Sequence, residues 1–136
     1  VYNDDSIELM VDSQCDRGTW LDDDDYKFMV NLLNAHRDHL NEVYTWDAAI
    51  ESAVVLDGSN TDDSNTDHGY VVEMRIPWSE MGLVPPVEGQ SWGFDVYLND
   101  NWQGERHYRG FAHNPANEAD VNIPADWGTA TFTIPP

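Results

Sequence analysis

The sequence predicts an all-β fold: an antiparallel β-sandwich of the jelly-roll or immunoglobulin-like kind, with residues 1–136 forming a single domain. Three observations predict it. Apolar and polar residues alternate with a period of two through five separate segments, the mark of strands with two different faces. Clusters of Gly, Pro, Asn, Asp and Ser punctuate those segments at short intervals. A chain of 136 residues with 40% hydrophobic content, 6 Trp and 6 Tyr can also bury one sizeable core.

The first strand lies in Asn3–Asp12, where Ile7, Leu9 and Val11 point one way and Glu8, Met10 and Asp12 the other. Tyr26, Phe28, Val30 and Leu32 form one face of a second, with Lys27, Met29 and Asn31 opposite. Trp46, Ala48, Ile50, Ser52 and Val54 mark a third. Tyr70, Val72, Met74 and Ile76 mark a fourth, opposed by Val71, Glu73 and Arg75. Trp92, Phe94, Val96 and Leu98 mark a fifth, opposed by Gly93, Asp95 and Tyr97. A sixth runs from Arg106 to Phe111, and β-branched residues between Thr129 and Ile134 close the chain. The segment from Asn34 to Glu42 is polar and reads as a loop or one helical turn. Asp57–Gly69, with Ser-Asn-Thr-Asp twice, reads as a long solvated hairpin tip. Pro77–Gly82 reads as a short helix, with Pro in its first turn and Gly at its stop.

Composition narrows the partners. The net charge is −20, from 26 acidic and 6 basic side chains. Nucleic acid and anionic membranes are excluded, since both need a surplus of Lys and Arg. Asp outnumbers Glu 18 to 8, and Asp is the short, loop-favouring ligand of Ca²⁺. Cys15 is the sole cysteine, so no internal disulfide forms.

Four blocks in order and register resemble the family 9 carbohydrate-binding modules: Tyr2–Asp12, Asp23–Asn31, Gly69–Trp78 and Gly93–Asp100, with a closing Trp127-Gly128-Thr129. The resemblance covers nearly the whole chain. It implies a β-sandwich that binds Ca²⁺ structurally and holds a sugar on one sheet, often a polysaccharide chain end. It also implies an extracellular, secreted setting, tethered to a glycoside hydrolase as a non-catalytic accessory. The family domain is longer at its N-terminus, so this chain is expected to be the C-terminal portion of a longer domain.

In sugar-binding members of that family the ligand lies between two aromatic rings, with a Glu, an Arg and an amide beneath. Carried across by position, the first ring is Tyr2 and the Glu is Glu8. The Arg position holds Met29 and the amide position Tyr97, while the second ring falls near Val121 unless Trp127 or His113 replaces it. Trp102, expected in an Asn99–Gly104 turn, is a further ligand candidate, whereas Trp20, Trp46, Trp78, Trp92 and Trp127 are expected in the core. The expected carbohydrate-binding set is therefore Tyr2, Glu8, Met29, Tyr97 and Trp102. Glu8 has a plainer reading beside it, as part of a solvated or ion-paired sheet face with Glu73, Arg75 and Asp95.

The run Asp22–Asp25 is the expected Ca²⁺ site, because hard cations gather carboxylate oxygens: four successive Asp cannot all face one ion, so at most two of them, drawn from Asp22, Asp23 and Asp24, are expected to coordinate with Asp12, or with Asp16 from the neighbouring loop. Asp62, Asp63 and Asp67 form a weaker cluster. His36 and His39 are three apart, within reach of one metal on a helical turn, but lack a third ligand. No catalytic constellation stands out: no phosphate loop, no nucleophile elbow and no singled-out carboxylate pair. Two alternatives stay open. One is a structural sandwich that binds no sugar. The other is a b-type haem site, since related redox sandwiches hold haem through Met plus His or Lys, and Met29 and Met10 share a face.

Overall fold

The computed structural model describes residues 4–59, 68–102, 105–110 and 121–133, with backbone only over 102–110. Tyr2, His113, Asp62, Asp63, Asp67 and Ile134 lie outside these residues, as does the Trp102 side chain. The described chain is all-β. Its strands are β1 (Ser6–Asp12), β2 (Asp25–Asn31), β3 (His36–Leu40), β4 (Glu51–Asp57), β5 (Gly69–Arg75), β6 (Ser91–Trp102), β7 (Glu105–Gly110) and β8 (Gly128–Thr131). Short 3₁₀ turns occupy Trp78–Met81 and Pro124–Asp126.

The larger sheet runs β3-β2-β1-β6-β7, with β8 pairing the first half of β6, and every pairing is antiparallel. β4 and β5 form a separate two-stranded sheet. The core lies between the two. Val11, Tyr26, Phe28, Ala48, Met81 and Trp92 are its buried centre, with Leu9, Ile50, Met74 and Ile76 packed around them. Trp78, Trp92 and Phe132 meet edge to face, with centroids 4.9–6.1 Å apart, and close one end. The Tyr26 hydroxyl donates to the Met81 carbonyl at 2.7 Å, which fixes the 3₁₀ turn over the sheet.

The alternation read from the sequence sets these faces correctly for β1, β2, β5 and β6. β2 is buried on both faces, and a second, smaller cluster sits on the far side of the large sheet beside it: Met10, Tyr97 and Trp127, with Leu21 and Val121. Two expectations change. The segment 34–42 is neither loop nor helical turn but the edge strand β3, and its five residues include a single apolar one, Leu40. An edge strand tolerates charge, so hydrophobic periodicity is silent there. The inward face from Trp46 to Val54 is as expected, but regular pairing starts only at Glu51. The Ala48 and Ala49 amides donate to the Asp38 and Glu80 side chains instead of a neighbouring strand.

Trp102 ends β6 rather than sitting in a turn, because Asn99 is buried and donates to Ser6 Oγ, carrying the ladder onward. Trp20 is no core residue: it is 69% exposed. His36 and His39 lie on opposite faces of β3, so they cannot share a metal as on a helix.

Candidate functional site

Strand register places the site. Reading across the outer face of β6, β1, β2 and β3, one row is Tyr97–Glu8–Met29–Arg37 and the next is Asp95–Met10–Lys27–His39. Glu8 and Met29 thus stand side by side, as the sequence predicts. They open into a pocket of ≈ 350 Å³ whose wall includes Lys27, Arg37, His39, Asn41, Tyr44 and Asn122. Tyr97 belongs to the same row but not to the pocket. It is buried against Met10 and Trp127, because that cluster fills the β6 side of the face. Trp127 is wholly buried there and offers no ring to a ligand, while Val121 lies between cluster and pocket.

Three groups dominate the pocket chemistry. Glu8 and Lys27 are only 4% and 3% exposed and form an ion pair at 3.7 Å, with Lys27 Nζ also donating to Asn122 Oδ1. The solvated or ion-paired face expected with Glu73 and Arg75 is therefore not what Glu8 joins: it is buried, and its partner is Lys27. Glu73 and Arg75 lie on the other sheet, where Arg75 pairs with Glu51. Arg37 occupies the position beside Met29, so the neighbouring strand supplies a cation where the Met29 position itself has none. Its Nε donates to His39 Nε2 at 2.9 Å, and its Cζ lies 5.4 Å from the Tyr44 ring centroid. Burial, and then the charges of Arg37 and Lys27, push His39 down to about 4, so it is neutral at pH 7 and accepts that bond.

Tyr44 completes the arrangement. It is 63% exposed, yet its ring is fixed edge to face on His39 at 4.6 Å. A ring held this way presents a flat apolar surface over buried hydrogen-bonding groups, the combination that a pyranose ring with its hydroxyls requires. Arg37, Asn41 and Tyr44 were missed by sequence reasoning, and His39 was considered only as a metal ligand beside His36. The readable signal was Asn34 and Asn41, which both take left-handed conformations (φ 60° and 56°) and bracket β3.

The acidic loop is built separately. Among the described residues, Asp16, Asp22 and Asp24 each offer a carboxylate oxygen within 4.8 Å of the others. Asp24 is buried, and burial first, then its neighbour Asp22, raises it to about 6. The donors are all hard oxygens, and 4.8 Å is about twice a Ca²⁺–oxygen distance, so the set fits Ca²⁺. Two expected ligands are placed elsewhere. Asp12 accepts the Asp16 and Arg17 amides, folding the loop back on itself. Asp23 is exposed and accepts from Asn41 Nδ2 at 3.2 Å. Gly93 faces Asp12 across the strands, and a Cβ there would stand 2.8 Å from the Asp12 side chain. Arg17 then ties the loop to the Trp127 and Gly128 carbonyls.

The haem alternative asks for Met with His or Lys, and Met29, His39 and Lys27 do line one pocket, but Lys27 is engaged by Glu8 and Asn122 and His39 Nε2 by Arg37, while Met10 is fully buried against Tyr97 and Trp127.

Comparison with known proteins gives a consistent picture. Residues 1–133 match the family described as "Carbohydrate family 9 binding domain-like". The chain is 29% identical over 99 residues to endo-1,4-beta-xylanase A of Thermoanaerobacterium saccharolyticum, a match covering 73% of this chain and 7% of the xylanase. It is also 29% identical over 99 residues to exoglucanase XynX of Acetivibrio thermocellus, covering 73% and 8%. The fold resembles a family 9 carbohydrate-binding module from Caldicellulosiruptor kristjanssonii in complex with cellotriose (TM-score 0.68, 21% identity, 97% of this chain and 59% of that one). The structure of a family 9 module from the same organism in complex with glucose gives a TM-score of 0.67 at 22% identity, over 96% and 59%. This chain therefore spans under a tenth of the two enzymes and about three fifths of the solved modules.

Proposed function

The chain belongs to the family 9 carbohydrate-binding domains, and from that premise we propose that it binds carbohydrate in the pocket on the outer face of β1–β3. The observation that carries this reading is the exposed, fixed Tyr44 ring above Glu8, Lys27, Arg37 and Asn41. In this arrangement the sugar ring packs on Tyr44, Arg37 and Asn41 donate to its hydroxyls, and the buried Glu8–Lys27 pair forms the polar floor beneath. Glu8 and Met29 remain in the set expected from the sequence; Tyr97 acts from beneath as packing.

The solved relatives hold cellotriose and glucose, and the curated relatives are polysaccharide-degrading enzymes of which this chain matches a small part. Both support a module appended to a secreted glycoside hydrolase, working outside the cell by raising the enzyme's local concentration on its substrate. Ca²⁺ would be held by Asp16, Asp22 and Asp24 and would serve the fold, neutralising three clustered carboxylates next to β2.

Calorimetric titration with mono- and oligosaccharides tests the reading. Saturable binding that is weakened by Tyr44→Ala is expected. A folded protein that binds no member of the panel would leave the sandwich a structural accessory.

A further inference from the structure

His39 touches two of the groups that the sugar is expected to meet. Its Nε2 accepts the Arg37 Nε–H at 2.9 Å, and its ring meets the Tyr44 ring edge to face, with centroids 4.6 Å apart. The Arg37 Cζ in turn lies 5.4 Å from the Tyr44 centroid. The three side chains therefore close a triangle, with His39 its buried corner and Tyr44 its exposed one. The backbone builds this arrangement. Arg37 and His39 alternate with Asp38 on β3 and so share its outer face, while a bridge between Leu40 and Val43 reverses the chain and returns Tyr44 to that face. Asn41 takes a left-handed conformation in the reversal (φ 56°), and its amide donates to the Asp25 carbonyl at 2.8 Å.

The bond to Arg37 needs a neutral ring. A guanidinium can only donate, so Nε2 must carry a lone pair and the ring proton must sit on Nδ1. Protonation turns Nε2 into a donor facing a donor and sets two positive groups against each other. Among the described residues, the titratable and charged groups that share the pocket wall with His39 are Glu8 from β1, Lys27 from β2, Arg37 from β3 and Tyr44 from the turn. Burial, and then the charges of Arg37 and Lys27, keep the ring neutral down to about pH 4. Arg37 has further interactions of its own, so losing the Nε bond is expected to turn its guanidinium rather than free it.

We propose that His39 is the positioning residue of this pocket: it sets Arg37 and Tyr44 in the arrangement that receives the sugar, and it lets Arg37 go when it takes up a proton. This rests on the carbohydrate-binding reading above and adds a positioning residue and a pH limit to it. Calorimetric titration with glucose, cellotriose and xylotriose at pH 7 compares the unaltered protein with two variants. His39→Phe keeps a ring for Tyr44 but removes the acceptor, and is expected to bind about tenfold more weakly. His39→Gln offers Arg37 a carbonyl oxygen that does not titrate, and is expected to bind within about threefold of the unaltered protein. On lowering the pH, the affinity of the unaltered protein is expected to halve by about pH 4 and keep falling, with a smaller fall for His39→Gln and Trp fluorescence checking the fold throughout. A His39→Phe variant that binds as tightly as the unaltered protein, a His39→Gln variant as weak as His39→Phe, or coincident pH profiles overturns the positioning role and leaves carbohydrate binding intact. Absence of binding to all three sugars by the folded, unaltered protein overturns both. Where a variant fails to fold, NMR titration of the His39 imidazole in the unaltered protein decides. By linkage, the tightest-binding of the three sugars is expected to lower the pH at which His39 protonates, and an unmoved titration overturns the proposal.

Discussion

Removing Glu8 tests the site and the fold together. Glu8 and Lys27 are nearly inaccessible to water and 3.7 Å apart. Coulomb's law at an effective dielectric of 20 gives roughly 4.5 kcal/mol of attraction at that distance, much of it offset by the desolvation of both charges. Glu8→Ala removes the acidic half of this buried pair while Lys27 stays buried with its Asn122 contact, and breaking a buried pair from one side costs about 3–5 kcal/mol. Against a total stability of about 5–15 kcal/mol, that is a large fraction. Lys27→Met is expected to cost a similar amount by stranding Glu8. The double variant Glu8→Leu/Lys27→Met removes both charges and is expected to lie within about 1–2 kcal/mol of the parent, far from the sum of the two single losses. Urea unfolding at pH 7, followed by Trp fluorescence, measures all four corners of the cycle. Single losses below about 1 kcal/mol that simply add in the double variant would refute the buried-pair argument. The sequence alone suggests that Glu8→Ala would abolish binding and spare the fold; its burial with Lys27 means both should suffer.

Tyr44→Ala is expected to weaken sugar binding by about tenfold while changing stability by less than about 1 kcal/mol, because the ring is mostly exposed; calorimetry and a melting curve separate the two effects. Ca²⁺ at about 100 times its Kd is expected to add about 2.7 kcal/mol and raise the Tm, with EDTA reversing the gain and Asp24→Asn abolishing it; a melting curve indifferent to both would remove the metal. Asp38 faces the core, and burial raises it to about 6 from an ordinary 3.8. Its ionisation therefore costs stability above pH 6 and nothing below pH 3.8, and Asp38→Asn is expected to stabilise by up to about 3 kcal/mol at pH 8, fading to nothing by pH 4. His39 runs the other way. Held near 4 in the fold against an ordinary 6.5, its contribution is complete above pH 6.5 and is lost as pH falls towards 4, which replacing it should reveal as a flatter acid limb in urea titrations. Gly93→Ala is expected to cost about 1–3 kcal/mol, since its Cβ meets the Asp12 side chain at 2.8 Å; an unchanged urea midpoint would show that Asp12 can move aside.

The strands with regular alternation were legible because each has one apolar face: Leu9, Phe28 and Phe94 point to the core as their period requires. From those same strands came the outward pair Glu8 and Met29. What escaped was β3 and the turn after it, which carry Arg37, His39, Asn41 and Tyr44. An edge strand of His-Arg-Asp-His-Leu has no apolar stripe to read, and its register against β2 is set by pairing, which the sequence does not display. The acidic loop was legible as a cluster but not in its division of labour. Asp12 was drawn off to cap backbone amides, and Asp23 to Asn41, by geometry that four successive Asp do not reveal. The cation missing at Met29 shows the same limit. Position-by-position transfer sees a lost Arg, whereas the sheet brings another in from the neighbouring strand.

The central claim is that carbohydrate enters the pocket on the outer face of β1–β3. Amide chemical-shift mapping during titration with mono- and oligosaccharides tests it most directly. Saturable shifts are predicted at Glu8, Lys27, Met29, Arg37, His39 and Tyr44, with β4 and β5 unmoved. Shifts confined to the β4–β5 hairpin or the Asp16–Asp24 loop, or none at millimolar sugar with the protein folded, would contradict it.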